Sequence, residues 1–229
     1  MAKLELVVFD MAGTTVYDGD AVNRCLQEAL KDANFKVTRD EINTVMGIPK
    51  PIAIESMIER CGHSSRIRTE LLVEQIHADF KVRMQNHYLH SPEIRETLGA
   101  HDLFVKLNAA GIKIALDTGF DGETADIILN RLGWTNCPFI GTTITAGEGL
   151  RGRPYPDMIF EAMSRLDVNN SKAVAKVGDT PSDLEEGTLA GCGWVIGITS
   201  GSHSAEELSE FQHTHLAVDL AEVGSILLG

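Results

Sequence analysis

Val8-Phe9-Asp10-Met11-Ala12-Gly13-Thr14-Thr15 is the stretch on which the reading of this chain turns. The apolar run Leu4 to Phe9 predicts a short buried strand, with Asp10 at its C-terminal end. Small residues follow at once, so the backbone can close around an anion. Open α/β sheets hold their ligands at that end of their strands. A carboxylate there can serve as a nucleophile or a metal ligand. Two residues on stands Ala12, where a second carboxylate would have supplied general acid catalysis.

Outward from this strand the pattern changes twice. From Ala21 to His87 the chain reads as helices, with Val22, Leu26, Ala29 and Leu30 close to helical spacing over Ala21 to Ala33. Thr38-Arg39-Asp40-Glu41 spells a capping box ahead of Ile42, Val45 and Met46. Pro51 suits the first turn of a helix running through Ile58, and a longer helix is expected over about Arg66 to Asn86. After Pro92, short β-rich runs appear at Ile112 to Leu116, Ile140 to Ile144, Ala173 to Val177, Trp194 to Ile198 and His215 to Val218. Helical patterns separate them at Thr124 to Leu132, Asp157 to Leu166, Ser182 to Ala190 and Ala205 to Glu210. Such alternation predicts βαβ units and a parallel sheet. Joined to the first strand, it implies an α/β chain: a Rossmann-like three-layer parallel-sheet core (residues 1–16 and 95–229) with an inserted α-helical cap (residues 17–94).

At 229 residues the chain can bury one good core, or one core and a smaller lobe. Its formal charge of −13 argues against nucleic acid or an anionic membrane as partner, since a phosphate backbone must be neutralised by Lys and Arg. A small phosphorylated ligand needs only a local cluster of donors. No apolar stretch approaches the roughly 20 residues of a spanning helix, and the N-terminus lacks the regions of a signal peptide. Cys25, Cys61, Cys137 and Cys192 are scattered with no C-x-x-C pair, which predicts buried, inert thiols and a cytoplasmic protein.

Three further regions carry polar residues like those after Asp10: Asp117-Thr118-Gly119-Phe120, Gly152-Arg153-Pro154-Tyr155-Pro156 and Gly178-Asp179-Thr180-Pro181-Ser182-Asp183. In a doubly wound sheet these loops converge on one crevice. The Thr118 hydroxyl and Gly119 N–H suit phosphoryl oxygens, and Arg153 brings positive charge. Asp179 and Asp183 add carboxylates beside Asp10, and such acids repel one another unless a hard cation neutralises them. Mg²⁺ suits the place, because it takes one or two carboxylates and binds phosphate oxygens.

In this order the four segments resemble the motifs of the haloacid dehalogenase superfamily, and the resemblance runs from Leu4 to the last helix. Most phosphatases of that superfamily have an aspartate where this chain has Ala12. Its dehalogenases have an aromatic residue there and lack the acids that match Asp179 and Asp183. Phe9-Asp10-Met11-Ala12-Gly13-Thr14-Thr15-Val16, Gly152-Arg153-Pro154-Tyr155-Pro156 and Val177-Gly178-Asp179-Thr180 are similar to the phosphonoacetaldehyde hydrolase (phosphonatase) branch. Met46-Gly47-Ile48-Pro49-Lys50 resembles the cap segment that holds the branch's imine-forming lysine, which falls on Lys50. The resemblance implies Asp10, Lys50 and Arg153 as catalytic residues and Ala12, Thr118, Gly119 and Met46 as substrate contacts. It also implies a Mg²⁺ held by Asp10, the Ala12 carbonyl, Asp179 and Asp183, and a homodimer formed through the first cap helix.

The chemistry agrees with those residue types. Breaking a P–O bond leaves an alkoxide that a carboxylic acid can protonate, whereas breaking a P–C bond leaves a carbanion that needs an electron sink. A lysine imine is such a sink, so losing the acid at Ala12 and gaining an amine at Lys50 belong together. Three positions depart from the branch: Ala53, Phe120 and Asp20 stand where it has histidine, tyrosine and cysteine. Asp20 or Asp117 is then the candidate for proton transfer. Three readings stay open: Mg²⁺-dependent C–P hydrolysis of a small phosphono-aldehyde or ketone, hydrolysis of a small phosphate ester such as a phosphoglycolate-like metabolite, and binding without turnover.

Overall fold

In the computed structural model, which describes residues 2–62, 66–147 and 149–229, the first apolar run becomes β1 (Leu6–Asp10), buried along its whole length. With β2 (Lys113–Thr118), β3 (Thr142–Thr145), β4 (Val174–Gly178), β5 (Trp194–Ile198) and β6 (His215–Ala217) it forms a parallel sheet in the order β3-β2-β1-β4-β5-β6. The chain works outward from β1 to β3, then returns to lay β4 on the other side of β1. The direction of winding therefore reverses between β1 and β4, where an open α/β sheet leaves a crevice at its C-terminal edge.

Alternation along β1 separates the two faces of the core. Val7 and Phe9 join a cluster with Phe104 and Leu107 of α5 (Ala100–Ala109), Ile128 of α6 (Gly122–Arg131) and Val223 of α10 (Leu220–Leu228). Leu6 and Val8 join another with Ile159 of α7 (Asp157–Arg165), Leu184 of α8 (Pro181–Ala190) and Leu208 of α9 (Ala205–Ser209). Helices thus cover both faces of the sheet, in the three layers that the sequence implies. None of the expected elements covers α5, although Leu103, Phe104 and Leu107 stand at helical spacing in it.

Between β1 and α5 lie α1 (Ala21–Asp32), α2 (Arg39–Asn43), α3 (Lys50–Arg60) and α4 (Arg66–His90). The capping box at α2 forms as read: Thr38 Oγ1 accepts from the Glu41 N–H and Glu41 Oε2 from the Thr38 N–H. The helix it starts is short, however, and Val45 and Met46 are buried in the turn after it. Leu26, Leu30, Ile54, Met57, Phe80 and Met84 of this insertion share one apolar cluster with Phe9, so the insertion seats directly on the sheet's core. The four thiols are free, but only Cys25 and Cys192 are buried; Cys61 is exposed just past the end of α3 and Cys137 half-buried in the loop after α6. Among the described residues no helix is long and apolar enough to cross a membrane.

Candidate active site

Register places the first charged groups. Asp10 of β1 lies opposite Asp117 of β2, and Val8, two residues earlier on the same face, lies opposite Lys176 of β4. All three side chains therefore project toward α7 and α8, while Thr118 projects the other way. Arg153 enters from the loop between β3 and α7 and is almost wholly buried. It donates to Asp10 Oδ1 at 2.6 Å, to the Asp117 carboxylate, to the Asp117 carbonyl at 3.1 Å and to Glu186 Oε2 at 3.1 Å. Lys176 Nζ lies 2.6 Å from Asp117 Oδ2, 3.0 Å from Glu186 Oε2 and 3.1 Å from Asp183 Oδ1. Two buried cations thus hold four buried acids.

Of these residues Arg153 was legible in the sequence, whereas Lys176 and Glu186 were not singled out there. Lys176 left a signal, since a charged residue interrupts the buried run Val174-Ala175-Lys176-Val177. Glu186 left none, because exposed Glu185 stands beside it in the same helix.

Burial pushes the Asp10 carboxyl well up, and neighbouring Asp183 and Asp179 add to this against the pull of Arg153. Asp179 is raised for the same reasons, burial first and Asp183 next. Burial would raise Asp117 too, but Arg153 and Lys176 outweigh it and hold this carboxyl low. Burial and adjacent Asp117 bring Glu186 to about 8.

Asp10, Asp179 and Asp183 each offer a carboxylate oxygen, and these atoms all lie within 4.8 Å of one another. Asp179 is steadied by the Thr14 hydroxyl at 3.2 Å and the Ser202 N–H at 2.6 Å. Asp183 Oδ1 is buried and accepts no hydrogen bond, with Arg153 and Lys176 at 3.2 and 3.1 Å. An all-oxygen set in which Asp10 and Asp179 are raised and Asp183 keeps an oxygen without a hydrogen bond fits a hard divalent cation.

Asp10, Ala12, Met46, Lys50, Thr118, Gly119 and Arg153 line one cavity together with Phe120 and Ser202. Its volume of about 40 Å³ is room for only a few waters or a small anion. Asp179 and Asp183 stand beside it rather than in its wall. A larger cavity of about 490 Å³ opens around Lys172, Trp194 and His213, at the opposite end of the strands and away from these carboxylates.

Lys50 reaches the cavity as the first residue of α3 and is 8 % exposed. Burial lowers its ammonium to about 8, Arg153 adds to this, and Asp18 and Asp10 oppose it. Gly47, in the turn before it, has φ +81°, and a Cβ there would meet Thr180 Oγ1 at 2.3 Å. Only glycine lets this turn lie so close on the loop after β4.

The two carboxylates expected to carry protons stand elsewhere. Asp20 is exposed and paired with Arg39 at 2.8 Å, because it turns outward at the entry to α1. Asp117 is locked between Arg153 and Lys176 by the pleat of β2. Asp18, which the sequence did not single out, lines an adjoining cavity. Its Oδ2 accepts the Val22 N–H at 3.3 Å, while its buried Oδ1 has no hydrogen-bond partner. Burial raises this carboxyl to about 6.

Fold and site together are those of a haloacid dehalogenase-like hydrolase. The model of that family matches residues 7–196, and the chain belongs to it. Within the family its likeness is to the phosphonatase branch. It is 30% identical to a phosphonoacetaldehyde hydrolase of Bacillus cytotoxicus over 212 residues, 87% of this chain and 77% of that one. Among solved structures, a phosphonoacetaldehyde hydrolase-like protein from Oleispira antarctica superposes with a TM-score of 0.84 at 21% identity, over 99% of this chain and 92% of that one. A protein assigned as a phosphoglycolate phosphatase from Lactobacillus delbrueckii superposes with a TM-score of 0.82 at 19% identity, over the whole of both chains. At such identities the two structures speak for the fold alone.

Proposed function

We propose that this hydrolase cleaves the C–P bond of a small phosphono-aldehyde or ketone, with Asp10 as nucleophile and Lys50 as imine-forming amine. The helical insertion, residues 17–94, acts as the cap that brings Lys50 over the sheet. The observation that carries the reading is the buried amine of Lys50 in the same small cavity as Asp10, Thr118 and Arg153. An amine near 8 is neutral in about one molecule in ten at pH 7, against about one in 2,500 for an ordinary lysine. Its place at the positive end of α3 disfavours the ammonium further. Asp10, the Ala12 carbonyl, Asp179 and Asp183 would hold Mg²⁺, which when bound keeps Asp10 ionised and offsets phosphonate charge.

Asp10 Oδ attacks phosphorus from the end of β1, steered by the Arg153 bond to its other side. Arg153, Thr118 and the Gly119 N–H bind the phosphonyl oxygens, and Met46 packs against the carbon end. The carbon's electron pair passes into the lysine-bound enamine, so no acid is needed at position 12. Water then frees phosphate from Asp10, and protonation of the enamine carbon followed by hydrolysis of the imine releases the aldehyde or ketone and restores Lys50. A second reading, hydrolysis of a small phosphate ester with Lys50 only gripping the substrate, is favoured by Ala53 and Phe120. Both are buried and bring no proton donor to the amine.

Phosphate release with Mg²⁺ from phosphonoacetaldehyde, beside a panel of small esters that includes phosphoglycolate, separates the two. C–P hydrolysis predicts phosphonate turnover that vanishes in Lys50→Arg, and borohydride-fixed mass on Lys50. Turnover of esters alone, or full activity in Lys50→Arg, overturns it.

A further inference from the structure

We propose that Asp18 is the proton carrier for Lys50, taking the ammonium proton so that the amine can add to the carbonyl and returning it as water departs. This rests on the reading of Lys50 as an imine former. Geometry singles Asp18 out among the acids around the cavity. Asp10 is held by Arg153, Asp117 by Lys176, Asp179 by Thr14 and Ser202, and Asp20 by Arg39. Asp18 alone among these keeps a buried oxygen that neither a hydrogen bond nor an ion pair engages.

Its position suits the task. Asp18 accepts from the N–H of Val22, which lines the cavity beside Lys50. Asp18 itself lines an adjoining cavity of about 180 Å³, which shares Met46 and Ser202 with the first. Its charge acts on Lys50, and that of Lys50 acts on it. The other ionisable groups facing the pair are few. From the sheet, Asp10 and Arg153 act on Lys50 in opposite senses, and Asp179, with Asp20 from its own loop, raises Asp18. From the insertion, Cys25 of α1 and the Tyr88 hydroxyl of α4 both feel Asp18, and His77 of α4 feels Lys50. Burial strongly raises Tyr88 and raises Cys25 to about 11, so both stay neutral at pH 7.

With Asp18 near 6 and Lys50 near 8, moving the proton from nitrogen to carboxylate is uphill by a factor of about 10². For the same groups free in water the factor is about 10⁶. The steps balance. Asp18 and Lys50 line adjoining cavities and make no ion pair, so the carboxylate takes one ammonium proton by way of water, leaving acid and amine. Nitrogen bonds to the carbonyl carbon, and a proton passes from nitrogen to oxygen to give a carbinolamine. The Asp18 acid then protonates the departing hydroxyl, the C–O bond breaks, water leaves, and iminium and carboxylate remain.

The reactive form is therefore the pair sharing one proton, and its pH dependence is the test. Acetaldehyde with excess cyanoborohydride should add an ethyl group to Lys50, read by mass spectrometry. The wild-type rate should be flat between about pH 6 and 8 and fall on either side. Asp18→Asn should trap at least tenfold more slowly at pH 7 and lose the plateau, its rate climbing with pH. Asp20→Asn should match the wild type. A wild-type rate that climbs tenfold per pH unit from 6 to 8 overturns the assignment even where Asp18→Asn does not fold, as does an unchanged profile in a folded Asp18→Asn. No adduct in the wild type at any pH removes the imine reading itself.

Discussion

Lys176→Met tests whether the buried cluster beneath Asp10 is electrostatically balanced, as its geometry requires. At pH 7 Glu186, near 8, is mostly protonated and burial pushes Asp10 well up, so Arg153 and Lys176 act chiefly on Asp117, the carboxyl they hold low. Deleting Lys176 leaves the buried Asp117 carboxylate with one guanidinium as its partner. Removing one partner of a fully buried pair costs about 3–5 kcal/mol. For a chain of 229 residues, each kcal/mol moves Tm by about 2–4 °C, so calorimetry at pH 7 should show a fall of about 6–20 °C. Adding Asp117→Asn removes the charge that Lys176 neutralises and should restore at least about half of the loss. A fall under about 2 °C, or no rescue in the double variant, would refute the balance. Glu186 supplies a companion test with a definite sign. Its folded pKa lies above its ordinary 4.5, so between about pH 4.5 and 8 the native state holds a proton that the unfolded chain has released. Its contribution to stability is full below that window and is lost as pH rises through it. Glu186→Gln carries no such proton, and its Tm relative to wild type should rise steadily from pH 5 to pH 8.

Gly13→Ala would set a Cβ 2.3 Å from Asp179 Oδ2 at a residue with φ +93°, so the carboxylate must move. Mg²⁺ affinity by titration calorimetry should fall at least about tenfold, and unchanged binding would place the cation elsewhere. Ala12→Asp returns a general acid to the first loop; phosphoglycolate hydrolysis should rise by about 10²-fold while phosphonoacetaldehyde turnover falls, and a flat response would mean that position 12 does not choose the bond broken. Mg²⁺ at 100 times its Kd should stabilise the protein by about 2.7 kcal/mol, seen as a Tm rise of about 5–11 °C that chelation reverses and Asp179→Asn abolishes.

Much of the fold was legible because strands and helices announce themselves in local periodicity. Trp194 to Ile198 was read to the residue, and α8 to within one. Short-range capping was legible too, as the Thr38–Glu41 box shows, although the length of α2 was not: burial of Val45 and Met46 against the rest of the insertion ends that helix early. Where the carboxylates of the loop before α1 point was not legible, for a through-space reason. Asp18 and Asp20 are two residues apart and alike in composition, and only the path of the loop turns one inward and the other toward Arg39.

What the sequence determined by itself is the order of the parts: an acid after the first strand, Thr118-Gly119 after the second, Arg153 in the loop before α7, Asp179 and Asp183 after the fourth, and Lys50 in the insertion. Covalent order and the pleat suffice for that, since a strand end in a parallel sheet has one edge to occupy. Which charges meet is another matter. Arg153 meets Asp10 across 143 positions of chain and Lys176 meets Asp117 across 59. The state of each group then follows from how much water those contacts exclude. Only the closed tertiary structure fixes that quantity, because desolvation and Coulomb energy depend on distance in space and not on distance along the chain.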